Sequence, residues 1–206
     1  MDIDKIDIII ENLKEMLLNR GDNIDEFEEH EVEISRESFY NDNNPIDFHT
    51  SKSAIIFALT KNLRTNIIDN LKKTKTNIDT FVRDYNDKYN IILVFNNDIL
   101  TTPTITQLSL IDKIFQKKGG MLQWFYLSDL LFNPTKHEYV PQHRTLSNEE
   151  SKVIMDKYHI KSKLQMPTIS HTDPMAKWIG LKQGEIVEIT RYNENSGKYY
   201  YYRCCI

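Results

Sequence analysis

Thr172-Asp173-Pro174-Met175-Ala176-Lys177-Trp178-Ile179-Gly180-Leu181-Lys182-Gln183-Gly184 carries a denser set of turn and cap signals than any other stretch of the chain. Asp173 before Pro174 pairs an N-cap carboxylate with a residue whose fixed φ suits the first helical position. Gly180 stands where a left-handed stop belongs. The spacing predicts a one-turn helix ending at Gly180, with a strand following Gly184. Ile186-Val187-Glu188-Ile189 and Tyr199-Tyr200-Tyr201-Tyr202 are strand material, and Asn193-Glu194-Asn195-Ser196-Gly197 reads as the hairpin loop between them, with Gly197 at positive φ. Alternation along a strand sends two of the four tyrosine rings to each face. One pair is expected in the core and the other is free to anchor a partner, as are Lys177 and Trp178.

Upstream, Pro167 favours an extended Gln165-Met166. Ser147-Asn148-Glu149-Glu150 is a capping box that starts a helix over 148–159. Asn133-Pro134-Thr135-Lys136 reads as a linker, which divides the chain into domains at 1–135 and 136–206. In the first domain Ile3, Ile6, Ile10, Leu13, Met16 and Leu17 form the apolar stripe of a helix over 2–20, stopped at Gly21. The acidic stretch Asp22–Glu37 adds a second short helix, and Asn41-Asp42-Asn43-Asn44-Pro45 a loop. Ala54–Leu59, Ile91–Phe95 and Met121–Leu127 read as buried strands, separated by helical patterns from Ile67 to Tyr85 and over 104–117. Strand and helix in alternation predict an α/β fold with a parallel or mixed sheet.

The 206 residues are 40% apolar and carry a net charge of −4, unevenly spread. Residues 1–50 hold 4 Lys/Arg against 15 Asp/Glu, whereas residues 51–90 hold 8 against 4. So acidic a chain is poorly suited to bind nucleic acid unaided, because that binding rests on phosphate neutralisation. The only cysteines, Cys204 and Cys205, are adjacent and offer neither a disulfide framework nor a spaced zinc set, which fits a reducing, intracellular setting. No run approaches the length of a membrane span and the N-terminus is acidic, so neither a membrane nor a secretory route is expected.

Candidate sites have ordinary readings. His137 and His143 lie six apart in a Pro-containing loop without nearby cysteines, and zinc needs three or four ligands at defined spacing. Phosphate-cradle, nucleophile-elbow and dinucleotide motifs are missing. A metal nuclease would commonly use an acid-x-Lys pair; the one here is Glu150-Ser151-Lys152, whose Glu150 is committed to the capping box. Lys72, Lys73, Lys75 and Arg83 form a group that can approach DNA, though Asp69, Asp79 and Asp84 share their side. A DNA-processing enzyme or an adaptor for another protein are the alternatives to the reading below.

His137-Glu138-Tyr139-Val140-Pro141-Gln142-His143, Leu164–Ile169, Asp173–Ala176, Gly180–Val187, Ile189-Thr190-Arg191 and Ser196–Tyr199 with Tyr202-Arg203 together resemble the small subunit shared by eukaryotic RNA polymerases I, II and III and its counterpart in archaeal RNA polymerase. The resemblance covers about 70 residues. Upstream, Leu13–Gly21 and Ile91–Thr101 are similar to the family's first helix and sheet region. It implies a non-catalytic α/β assembly domain that docks on the largest polymerase subunit among other polymerase subunits, without a cofactor or metal. It also implies that Pro141, His143, Asp173, Pro174, Gly180, Gly184, Arg191, Gly197, Tyr199, Tyr202 and Arg203 form its signature. The N-terminal part is similar to the eukaryotic jaw domain, which implies a place near downstream DNA, touched weakly or indirectly through residues 51–90. Thr168 stands where the family usually has a basic residue, and Asn193-Glu194-Asn195 replaces a Ser-Glu-Thr turn. The abundance of Ile and Asn together with these departures points to a large DNA virus, hence host cytoplasm and virion, or the nucleus if the chain is cellular.

Overall fold

The computed structural model describes residues 3–33, 38–39, 45–73, 90–97, 100–117, 119–195 and 197–206. The expected loop at 41–44 and the helical pattern beyond residue 73 lie outside them. So do Lys75 and Arg83 and the side chains of Lys72 and Lys73. The described chain is α/β and divides into two compact units, Met1–Phe132 and Asn133–Ile206.

In the first unit the order is α1 (Ile3–Asn19), α2 (Asp25–Glu33), β1 (Ile46–His49), β2 (Ser53–Ala58), α3 (Lys61–Lys73), β3 (Asn90–Phe95), α4 (Thr102–Lys117), β4 (Met121–Tyr126) and α5 (Leu127–Leu130). The sheet is mixed: β1 runs antiparallel to β2, while β2, β3 and β4 are parallel in the order β1-β2-β3-β4. Its parallel strands are near-continuous apolar runs because helices cover both faces. On one side Leu63 and Ile68 of α3 and Leu108, Ile111 and Phe115 of α4 close over Ile56, Ile91, Leu93 and Phe95. On the other, Phe27 of α2 stacks on Phe48 of β1 at 4.4 Å, and Phe39 meets Phe57 edge-on at 5.0 Å.

β1 was not expected from the sequence. α3 begins at Lys61 rather than Ile67, because Thr60 accepts the first amide bonds, from Leu63 to its hydroxyl and from Arg64 to its carbonyl.

The C-terminus of α1 is fixed by one carboxylate. Gly21 (φ 71) turns the chain so that the Asp22 amide donates to Leu17 O at 3.0 Å. The buried Asp22 side chain then accepts from the Thr50 hydroxyl (2.6 Å), the Ser51 hydroxyl (2.7 Å) and the Lys52 amide (3.1 Å). It thereby holds the β1–β2 turn against the end of α1. Burial pushes this carboxyl upward, but the bonds from Thr50, Ser51, Ser53 and Lys52 outweigh it and hold the group below its ordinary 3.8. Next to it, Arg20 donates to Gln123 of β4 at 2.7 Å; burial brings its guanidinium down to about 10, so it stays cationic at neutral pH.

The second unit contains β5 (Gln142–Thr145), α6 (Asn148–Lys157), β6 (Thr168–Ile169), α7 (Pro174–Trp178), β7 (Ile186–Asn193) and β8 (Gly197–Cys205), with sheet order β5-β7-β8-β6. The stretch expected as a linker is a 3-10 turn, Pro134–Lys136, with Asn133 accepting from the Thr135 amide at 2.8 Å. α6 opens on the capping box: Ser147 Oγ accepts the Glu150 amide at 3.2 Å, and Glu150 accepts the Ser147 amide at 2.8 Å. Gln165 is not extended as expected. It sits in a 3-10 turn, Lys163–Gln165, where its side chain accepts the Ser162 amide at 3.2 Å, and only Met166 before Pro167 is extended.

Strand alternation builds two cores, one on each sheet face. Val187, Ile189 and Cys205 join Ala176 and Leu181 on one face; Ile186 and Cys204 join Leu146 and Met166 on the other. The adjacent thiols therefore point apart and both are buried. Trp178 lies in the interior at 1% exposure, so it cannot meet a partner as the sequence suggested.

Two expectations follow. Because the folded Asp22 carboxyl is depressed, its contribution is present above 3.8 and is lost as pH falls through the lower folded value. Asp22→Asn should therefore destabilise the first unit by about 1–3 kcal/mol at neutral pH, and denaturant titration should show the gap to wild type closing in acid. Gly197 has φ 70 with no atom within 4 Å of a built Cβ, so a side chain there strains the backbone rather than colliding. Gly197→Val should cost about 1–3 kcal/mol, read as a lower Tm for the second unit.

Candidate functional site

Facing residues in a ladder share a sheet face. The register pairs His143 with Ile189 across β5 and β7, and Arg191 with Tyr199, Ile189 with Tyr201 and Val187 with Arg203 across β7 and β8. His143, Arg191, Tyr199, Tyr201 and Arg203 thus lie on the face that α7 covers only in part.

Tyr201 packs on the core beneath that face and serves as a platform. The Arg191 guanidinium carbon lies 5.3 Å from its ring centroid and that of Arg203 lies 5.4 Å away. Arg203 is further fixed by donating to the Thr168 carbonyl at 2.9 Å. Among the described residues, no carboxylate pairs with either guanidinium. Each guanidinium is attracted to the electron-rich face of the ring it lies over.

His143 is on β5, not in the loop expected for it. Its Nδ1 lies 2.7 Å from the Pro141 carbonyl and donates to it. Burial pushes its pKa down, as do Arg191 and Arg203, while the Pro141 carbonyl and Asp173 pull it up; the net is a lowered value. The ring is neutral at pH 7 with Nδ1 protonated. His137 is elsewhere engaged, accepting the Tyr139 amide at 3.2 Å. Among the described residues no three His, Cys, Asp or Glu side chains gather as a metal would require.

Beside the stack a cleft of about 570 Å³ is lined by Glu138, Tyr139, Pro141, Thr190, Arg191, Tyr192 and Tyr199. Tyr139 is 82% exposed and Tyr192 80%, which is much bare aromatic surface for one small unit. The sequence did not single out Tyr192, and Thr190 entered only within Ile189-Thr190-Arg191; the β5–β7 register, with Gln142 opposite Thr190, brings them beside Pro141.

The opposite face is internally satisfied. Arg144 pairs with Glu150 at 2.7 Å and with Glu188 at 3.1 Å, and the Tyr202 hydroxyl donates to Glu188 at 3.2 Å. Burial and then Glu188 push the Tyr202 phenol up to about 12. Glu150 thus serves its helix cap and Arg144.

The eleven signature positions accordingly separate into two groups. Asp173 accepts from the Met175 and Ala176 amides at 2.8 and 3.4 Å, and Pro174 opens α7. Gly180 (φ 67) and Gly184 (φ 84) turn the chain, and the Gly184 amide donates to Cys205 O at 2.9 Å. Together with Gly197 and Tyr202 these shape the unit. Pro141, His143, Arg191, Tyr199 and Arg203 gather on the open face. The tyrosine run divides along the strand rather than by face: Tyr201 and Tyr202 pack inward on opposite faces, while Tyr199 and Tyr200 near the hairpin are exposed at 39% and 48%.

Residues 132–205 match the family model described as RNA polymerase Rpb5, C-terminal domain. Over 75 residues the chain is 47% identical to DNA-directed RNA polymerase subunit Rpo5 of Pyrococcus abyssi, spanning 90% of that protein and 36% of this one. It is 38% identical over 91 residues to the Dictyostelium discoideum subunit rpabc1 of DNA-directed RNA polymerases I, II, and III, spanning 46% of that protein and 44% of this chain. With the Caenorhabditis elegans subunit RPABC1 the figure is 37% over 86 residues, 40% of that protein and 42% of this chain.

Tyr201→Ala should lower the stability of the second unit by about 2 kcal/mol, since it empties part of a core and removes the platform under both arginines. Tyr201→Phe keeps the ring and should cost under about 1 kcal/mol; paired denaturant curves check the contrast.

Proposed function

The chain belongs to the family of the RNA polymerase subunit whose C-terminal domain its second unit matches, and from this we propose that it is a non-catalytic subunit of a multisubunit DNA-directed RNA polymerase. It docks on the largest polymerase subunit through Asn133–Ile206, and its first unit lies near downstream DNA during transcription. The observation that carries this reading is that identity to an archaeal polymerase subunit runs through nearly all of that protein, while the family match over residues 132–205 falls on the second unit and its border. An arrangement built for docking supports it: two guanidiniums on a tyrosine platform beside an aromatic cleft, the residue types that dominate binding energy at interfaces.

Charge distribution supports the role of the first unit. Residues 1–50, with their net −11, repel a phosphate backbone, whereas residues 51–90 carry a net +4 and contain Lys72, Lys73, Lys75 and Arg83. This segment is the side of approach, and its contact with DNA is weak or made through neighbouring subunits. The complex works where its polymerase does: in host cytoplasm and virion for a viral enzyme, in the nucleus for a cellular one.

A tagged full-length chain expressed in its native transcribing cells should copurify with the two largest polymerase subunits at a fixed ratio. A chain recovered as a clean monomer, or with an unrelated partner, would remove the reading in favour of an adaptor.

A further inference from the structure

We propose that the Arg191–Tyr201–Arg203 stack is the receptor for an acidic segment of the protein partner, with a partner carboxylate completing the charge that the two guanidiniums leave open. The inference rests on the docking reading above and names the chemistry that the docked surface must present.

Three observations carry it. First, two like charges are gathered on one ring, 5.3 and 5.4 Å from its centroid, and among the described residues no acid pairs with either. Arg144 on the opposite face, by contrast, has both Glu150 and Glu188. Second, the stack is preorganised. Tyr201 is seated on the core and Arg203 is held by the Thr168 carbonyl, so these two side chains have little freedom left to lose on binding. A planar guanidinium fork matches a carboxylate in geometry as well as charge. Third, the neighbouring cleft, walled by Tyr139, Pro141, Tyr192 and Tyr199, can take the apolar side chains that flank such a carboxylate.

Protein is favoured over nucleic acid by the surroundings. Glu138 lines the same cleft, and residues 137–206 carry a net charge of only +2, with no basic stripe to follow a phosphate backbone.

The test titrates the full chain against the purified largest polymerase subunit at about 50 and about 500 mM salt, a range across which exposed charge pairs are screened. Wild type should bind more tightly at low salt. Arg191→Glu, at an exposed position where loss of the ring contact should lower the Tm only slightly, should bind roughly tenfold or more weakly at low salt, with the difference narrowing at high salt. Arg191→Gln should fall between the two, and a Lys placed at one acidic position of the partner should restore Arg191→Glu. Arg191→Glu binding as wild type does, or binding indifferent to salt, overturns the proposal while leaving the docking reading intact. A wild-type chain that binds no polymerase subunit removes the reading and the proposal with it. A DNA duplex bound by wild type and lost in Arg191→Glu, with subunit binding unchanged, assigns the pair to phosphate and likewise overturns it.

Discussion

The second unit depends on one ladder, unbroken from Ile186 opposite Cys204 to Asn193 opposite Gly197. Both strands are interior to the sheet, so each side chain along them is committed to one face or the other. A slip of one residue would reverse every commitment. Cys204 and Cys205 would exchange cores, Tyr202 would leave Glu188, and Tyr201 would no longer lie between Arg191 and Arg203. The turn at Asn193–Gly197 and the Gly184 amide bonded to Cys205 O pin the two ends of this register. Core, cap and surface chemistry are thus set by a single alignment of two strands.

The first unit reaches order differently. Its parallel strands are drawn from distant parts of the chain and are buried on both faces, so their register follows from apolar fit rather than from turns. Asp22 supplies the directional element that such packing lacks. It joins the end of α1 to the β1–β2 turn through bonds to Thr50, Ser51 and Lys52. A carboxylate so well supplied with donors is more stable charged than neutral, despite its burial.

Much of this architecture was legible because particular residues carry local physics. Asp173-Pro174, Ser147 with Glu150, and Gly180 each specify a helix end without help from the rest of the molecule. β1 and β5 were not legible. Ile46-Asp47-Phe48-His49 has one buried side chain, and Gln142-His143-Arg144-Thr145 has no apolar residue at all; only the neighbouring strands make them strands. The turn at Lys163–Gln165 carried a readable signal, Ser162 with Gln165 three residues on, which Pro167 overshadowed. Trp178 was misplaced because a one-turn helix leaves its facing undetermined until the core beneath it is known. Of the site, the odd-numbered phase of Tyr199, Tyr201 and Arg203 was present in the sequence, but the addition of Arg191 and His143 required two strand registers.

The interior position of β8 also bears on synthesis. It is the last strand of its unit, yet it contributes Cys204 to one core and Cys205 to the other, and it pairs with both β7 and β6. Neither core can close until it has left the ribosome. The first unit, whose described strands all come earlier, can fold before β8 is made. Nascent chains stalled before Gly197 would expose β7 with its apolar residues uncovered on both faces, as substrates for chaperones rather than as competent partners.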